Sequence, residues 1–382
     1  MKKFSASLLT FIVTMFSILI PGAAFAVDPS VEPGTIAVGS GPLDVAITAD
    51  GSTAYVVNYD SDNISVVNLA TGTAGTPISV GNQPTAFTIA PNGTFAYVAN
   101  FNNDSPSDLT RIALPSGTPT TILSGAGLDG PRSIVFSPDG TKAYVSNQGM
   151  AANAKIFVID TATNTKLSEI AVSPRPQNMA INSDGTKLFV SHFDNGVVSF
   201  IDLSTNAVTT PITGLSGPQG LTLAGTNYGL LYVANQTGNS VNVYNAVNGT
   251  LVTSITGFSS PESVTVNPGN TQIYVANQGA DQIKIIDIAT NAIIAPTLTV
   301  GDLPFYVAFA PNGLKAYVPN YGSNTLSVIS FPQPPAPPAP QPAGETLANT
   351  GQDLTLGMIS ATLLLGFGIV SVLTGRRIRR IR

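Results

Sequence analysis

PRSIVFSPDGTKAYVSN, residues 131–147, reads as two short strands joined by a tight turn, opened by a proline and closed by an asparagine. Its pattern returns seven times. The lead prolines are Pro42, Pro84, Pro131, Pro176, Pro218, Pro261 and Pro304, in steps of 42, 47, 45, 42, 43 and 43 residues. A period in the low forties with several strands per unit is the signature of propeller blades. The expected fold is therefore all-β, a seven-bladed propeller of four-stranded antiparallel blades. In the third unit the strands are expected at 133–137, 142–147, 155–160 and 166–172. The Asp-Gly of the turn recurs as Asp50-Gly51 and Asp184-Gly185, and as Asn-Gly at 92–93 and 312–313. Gly accepts positive φ there without steric cost.

The strands are more uniformly apolar than a one-sided sheet requires, as in Ile156-Phe157-Val158-Ile159. Blades stacked on both faces explain this. Tyr55, Tyr97, Tyr144, Phe189, Tyr232, Tyr274 and Tyr317 stand at one repeat position and are expected to fill the spaces between blades. The seventh unit ends after its third strand, and 34–39 (GTIAVG) matches the fourth strand of other units. The N-terminal strand is thus expected to complete the last blade and close the ring.

The stretches AYVVNYDSDNISVVNLATG (54–72) and AYVSNQ (143–148) resemble the YVTN-type β-propeller repeat of bacterial and archaeal surface proteins. The resemblance spans about 300 residues. It implies a surface-layer or adhesive role, with relatives resembling lactonases as the enzymatic alternative.

The two ends carry address signals. Residues 1–26 hold Lys2, Lys3, an apolar run and an A-x-A pattern ending at Ala26, which reads as a signal peptide cleaved before Val27. The propeller is expected over 27–331, and a proline-rich spacer over 332–346, able to extend about 50 Å as polyproline II. Residues 347–382 contain Leu347-Ala348-Asn349-Thr350-Gly351, an apolar span at 354–374 long enough to cross a bilayer, and five arginines. This order resembles a Gram-positive LPxTG-like cell-wall sorting signal, with Ala348 in the usual proline position. The variant resembles substrates of class E sortases. By that resemblance a sortase cysteine attacks the Thr350 carbonyl, releases Gly351, and hands the chain to a peptidoglycan precursor amine. The protein would span the membrane before sorting and end extracellular, anchored to the wall. A plain membrane anchor is the alternative.

Composition removes several chemistries. With no cysteine there is no disulfide, thiolate nucleophile or zinc–cysteine site. Residues 27–350 keep nine of the sixteen basic residues and twenty of the twenty-one acidic ones, about −11, without a basic cluster. Nucleic-acid binding needs such a cluster. His192 is the only histidine, and it replaces the asparagine found at Asn58, Asn100, Asn147, Asn235, Asn277 and Asn320. It reads as a structural replacement; no G-x-S-x-G turn supports a serine triad. The Asp60-x-Asp62-Asn63 loop lacks the pattern of an EF-hand and reads as a solvated loop. No metal or cofactor is expected.

Two sets of positions differ from unit to unit while the scaffold repeats. After the lead prolines stand Leu43, Thr85, Arg132, Gln177, Gln219, Glu262 and Phe305. After the loop-entry residues, asparagine in six units and His192 in the fourth, stand Tyr59, Phe101, Gln148, Phe193, Gln236, Gln278 and Tyr321. Both sets are expected on one face of the ring. The candidate ligand-binding residues are Tyr59, Phe101 and Tyr321, as an aromatic shelf for a sugar ring or peptide, with Arg132, Glu262 and Phe305. The enlarged polar loop at 101–108 marks the sector of first choice. The functional expectation is a wall-anchored binding or adhesion module rather than an enzyme. The alternatives are a structural envelope protein and a lactonase-like enzyme, which convergent Glu, Asp and Arg in the channel would favour.

Overall fold

The computed structural model describes residues 28–331, apart from 103–105, 126 and 150–153. The chain separates into compact units at 1–335 and 336–382, and all described residues belong to the first. The segments expected as signal peptide (1–26), spacer (332–346), sorting pentapeptide (347–351) and apolar span (354–374) lie outside the described residues. Among the described residues, no helix is long and apolar enough to cross a membrane.

The unit is a seven-bladed propeller of antiparallel blades. Blade three, for example, runs Pro131–Phe136, Lys142–Asn147, Lys155–Asp160 and Thr165–Ala171 in simple up-and-down order. Its first strand begins at the proline, two residues earlier than expected. Pro131 pairs with Asn147, and the register then slips before Ile134. A strand's first residue can be proline because no ladder N–H is needed there. First strands adjoin in order from blade one to blade six, and that of blade seven adjoins that of blade one. They therefore line the axis.

The turns are wider than two residues. In blade three Ser137 N donates to Lys142 O and only Gly140 has positive φ, at 71°. The Asp139 carboxylate fills the loop, accepting from Ser137 Oγ, Thr141 N and Thr141 Oγ1. Those bonds, the Ser137 one foremost, hold its pKa below the ordinary value.

Among the described residues the buried apolar side chains form seven clusters, each drawing on two adjacent blades. The repeated aromatic sits in these interfaces, as expected. Tyr55 stacks on Phe87 at 5.0 Å, Tyr97 tilts on Phe136 at 5.2 Å, and Tyr274 meets Phe309 edge-on at 4.9 Å. The Tyr97 and Tyr232 hydroxyls donate to Asn164 and Asn291.

Ring closure is also as expected, with one addition. Ile36–Ala37 pairs with Thr325–Ser330, and so does Ser30–Val31 further along the same strand. Glu32 adds an ion pair to Lys315 at 2.8 Å.

A second fastening recurs at the blade junctions. Four residues after the repeat asparagine, a left-handed Asp or Asn accepts the N–H of the residue before the next lead proline. The pairs are Asp62 with Gln83 (2.7 Å), Asn239 with Ser260 (2.7 Å), Asp281 with Leu303 (2.8 Å) and Asn324 with Gly41 (2.9 Å). Asp62 is thereby engaged in the protein, and Asn63 accepts from Asn58 Nδ2. Asn324 fastens blade seven to blade one. Asn324→Ala is expected to lower the unfolding free energy by about 1–2 kcal/mol in a urea titration, combining the lost bond with left-handed strain. Asn324→Gly, which relieves the strain, should cost less.

Candidate functional site

The inner strands surround an axial cavity of about 480 Å³. All seven residues that follow the lead prolines line it: Leu43, Thr85, Arg132, Gln177, Gln219, Glu262 and Phe305. Six are held on the first strand of their own blade and Phe305 just precedes that of blade seven, so the ring projects seven side chains of six types toward one axis. The volume falls within the range of small-molecule sites, roughly 300–1,000 Å³.

The second set of positions lies beside the first. Gln148 Nε2 donates to Gln177 Oε1 at 3.1 Å, and Gln236 Nε2 donates to Glu262 Oε2 at 2.6 Å. The Tyr321 ring lies 5.5 Å from Phe305. The two sets thus share one end of the ring. The expected aromatic trio is not uniform. Tyr321 lies near Tyr59 and Asp60; burial first, then the Asp60 carboxylate, pushes its hydroxyl up. Tyr59 is likewise raised by burial, against the pull of Arg132. Phe101 instead rests against Gly130, where a Cβ would come within 2.7 Å of its ring. The described part of the 101–108 loop is tied inward: Ser107 Oγ donates to Phe101 O and accepts from Gly130 N.

The charges of the cavity are Arg132, Glu262 and Asp44, the last absent from the candidates drawn from sequence. Glu262 is only 7% exposed. Burial pushes its carboxyl up to about 7, with Arg132 pulling the other way. Asp44 Oδ1 accepts from Val45 N at 2.8 Å, and Oδ2 from Phe87 N at 3.1 Å. Burial still holds it at about 6, despite those bonds and the Arg132 field. Beside it, Tyr306 is raised to about 12 by burial and then by Asp44. No hydrogen bond or ion pair with a described residue engages the Arg132 guanidinium.

Asp44, Ser263 and Tyr306, two places after their lead prolines, also line the cavity, where variation at the first place gave no pointer to them. One signal was legible. An acid in a buried strand, at a position filled elsewhere by Ala86, Ser133, Asn178, Gly220 and Ser263, needs a reason to be there. Gly220 has a packing reason: a Cβ there would come within 2.7 Å of Ser263 Cα. The close approach of blades five and six at that point sets the wall that carries Glu262.

His192 lies away from the cavity lining and is fully buried. Its ring nitrogens face the backbone of Ser173 and Pro174 without closing a hydrogen bond, and burial lowers its pKa to about 4. In blades three, five and six the equivalent asparagine accepts the N–H of the residue two before the lead proline, namely Asp129, Ser216 and Ser259. In blade four that residue is Pro174, which has no N–H.

The architecture is thus a closed β-propeller with a charged axial cavity. The chain belongs to the YNCE-like beta-propeller family, whose model matches residues 18–209. No curated protein matches the chain. Among solved structures, a hydrazine synthase of Kuenenia stuttgartiensis is similar at 22% identity and TM-score 0.67, covering 78% of this chain and 98% of that one. A functionally unknown protein from Desulfotomaculum acetoxidans is similar at 16% identity and TM-score 0.62, covering 72% and 92%. At these identities the likeness is one of fold.

Proposed function

We propose that the protein is an extracellular, wall-anchored binding module whose ligand enters the end of the channel ringed by Arg132, Glu262 and Phe305. One observation carries the reading. Seven equivalent positions point into one cavity, and their side chains range from Leu to Arg to Glu while the surrounding repeat stays the same. A scaffold role alone would favour seven like residues. Tyr59, Phe101 and Tyr321 belong to the adjoining rim in this reading. Its test is saturable binding of the full-length chain to a panel of wall glycans, mucins and matrix proteins. A Tyr59/Phe101/Tyr321-to-Ala variant and an Arg132→Gln variant are run alongside. Binding that survives in both variants sinks the placement.

The display part of the proposal rests on the sorting motif. Thr350→Ala should abolish release of the protein by wall-digesting enzymes and leave it in the membrane fraction. Unchanged wall linkage would reject the role of Thr350 as the acyl donor.

A second reading, a lactonase-like hydrolase, is favoured by the raised carboxyls of Asp44 and Glu262 in the same cavity. Carboxyl groups tuned toward neutrality suit general acid–base work. Turnover of a lactone panel, lost in Glu262→Gln and Asp44→Asn, would establish it.

A further inference from the structure

The arrangement of charge around the channel narrows the ligand further, given the binding site proposed above. Arg132 stands on blade three and Glu262 on blade six. They are three of seven steps apart, nearly opposite each other. Phe305, paired with Tyr321, is on blade seven beside Glu262, and Asp44 follows on blade one. One wall is therefore a lone guanidinium. The other is a carboxylate sector with an aromatic pair at its centre.

Simple ligands leave one wall unsatisfied. A phosphate or sulfate would meet Arg132 but face two carboxylates. A polyamine would suit Glu262 and Asp44 but repel Arg132. A neutral sugar would leave the guanidinium without a counter-charge. A divalent cation needs six or more oxygens, and only two carboxylates line the cavity; among the described residues no cluster of three metal-ligating side chains occurs. A molecule carrying both charges satisfies both walls.

We propose that the channel site takes a small zwitterion, a free amino acid or short peptide, with its carboxylate on Arg132 and its ammonium between Glu262 and the Phe305–Tyr321 pair. Guanidinium and carboxylate match as a bidentate pair, which is the strong form of this contact. An ammonium gains from a carboxylate on one side and an aromatic face on the other.

The test is titration calorimetry of the full-length chain in detergent with the dipeptides Ala-Ala, Phe-Ala, Lys-Ala and Glu-Ala. Each is used with free termini, as the N-acetyl form and as the C-terminal amide. At least one free dipeptide is expected to bind saturably, and either cap should weaken it tenfold or more. Arg132→Gln should erase the preference for acid over amide, and Glu262→Gln the preference for free over acetylated amine. Thermal melts confirm that both variants are folded. Equal binding of capped and free forms overturns the proposal, as does a preference unchanged in the variants or no binding by any dipeptide. In those cases glycan or protein binding that is lost in Phe305→Ala would keep the channel reading and remove only the zwitterion.

Discussion

Glu262→Gln is expected to raise the stability of the protein at pH 8 by up to about 3 kcal/mol and to change it little at pH 4.5 and below. The sign follows from proton linkage. The folded state holds the Glu262 proton up to about 7, whereas the ordinary value is 4.5. Between those values the folded state binds more protons than the unfolded chain, so stability falls as pH rises. Above 7 the whole cost of a buried carboxylate is present, and the interval corresponds to about 3 kcal/mol. Gln at this position keeps an acceptor for Gln236 Nε2 and carries no charge. Asp44, raised to about 6, acts with the same sign at lower pH, while Arg132 offsets part of both. Urea unfolding from pH 4.5 to 8 checks the prediction; parallel curves for wild type and variant would contradict it.

His192→Asn is expected to have the opposite pH profile. Burial lowers the folded pKa to about 4 from 6.5, so the unfolded chain binds more protons between those values. The wild-type contribution is intact above pH 6.5 and is lost as pH falls toward 4. The asparagine variant should be more stable by up to about 3 kcal/mol near pH 4, converging to within about 1 kcal/mol above pH 7. The local structure supports the replacement. Asn58 and Asn320 donate to Ser65 and Ser327 seven residues on, and in blade four the matching Ser199 hydroxyl is buried without a partner. An asparagine amide would satisfy it. Between about 4.5 and 6.5 the His192 effect opposes those of Glu262 and Asp44, so His192→Asn should steepen the fall of stability with rising pH there.

Much of the fold was legible because it repeats. The period, the lead prolines, the interblade aromatics and the missing fourth strand of the last blade each follow from comparing copies within the chain. Reading His192 as a structural replacement followed from the same comparison. The blade-junction fastenings were not legible. Asp62, Asn239, Asp281 and Asn324 are ordinary loop residues until their left-handed backbone places the side chain under the next blade's N–H. The candidate site was half legible. The places after the lead prolines were marked by variation, and Arg132, Glu262 and Phe305 do converge on the cavity. The register slip behind the lead prolines of blades one to six brings the second place onto the cavity wall as well. Strict alternation would have turned Asp44 and Ser263 away. Tyr59, Phe101 and Tyr321 sit at matching repeat positions, yet their neighbours differ: Asp60 for Tyr321, Gly130 for Phe101.

The central claim is that a ligand occupies the channel end. Amide hydrogen exchange, with and without the tightest binder from the panel, tests it most directly. New protection is expected to be confined to the inner segments around 43–46, 132–135, 262–265 and 305–308. Protection on the outermost strands of the blades, with these segments unchanged, would contradict it.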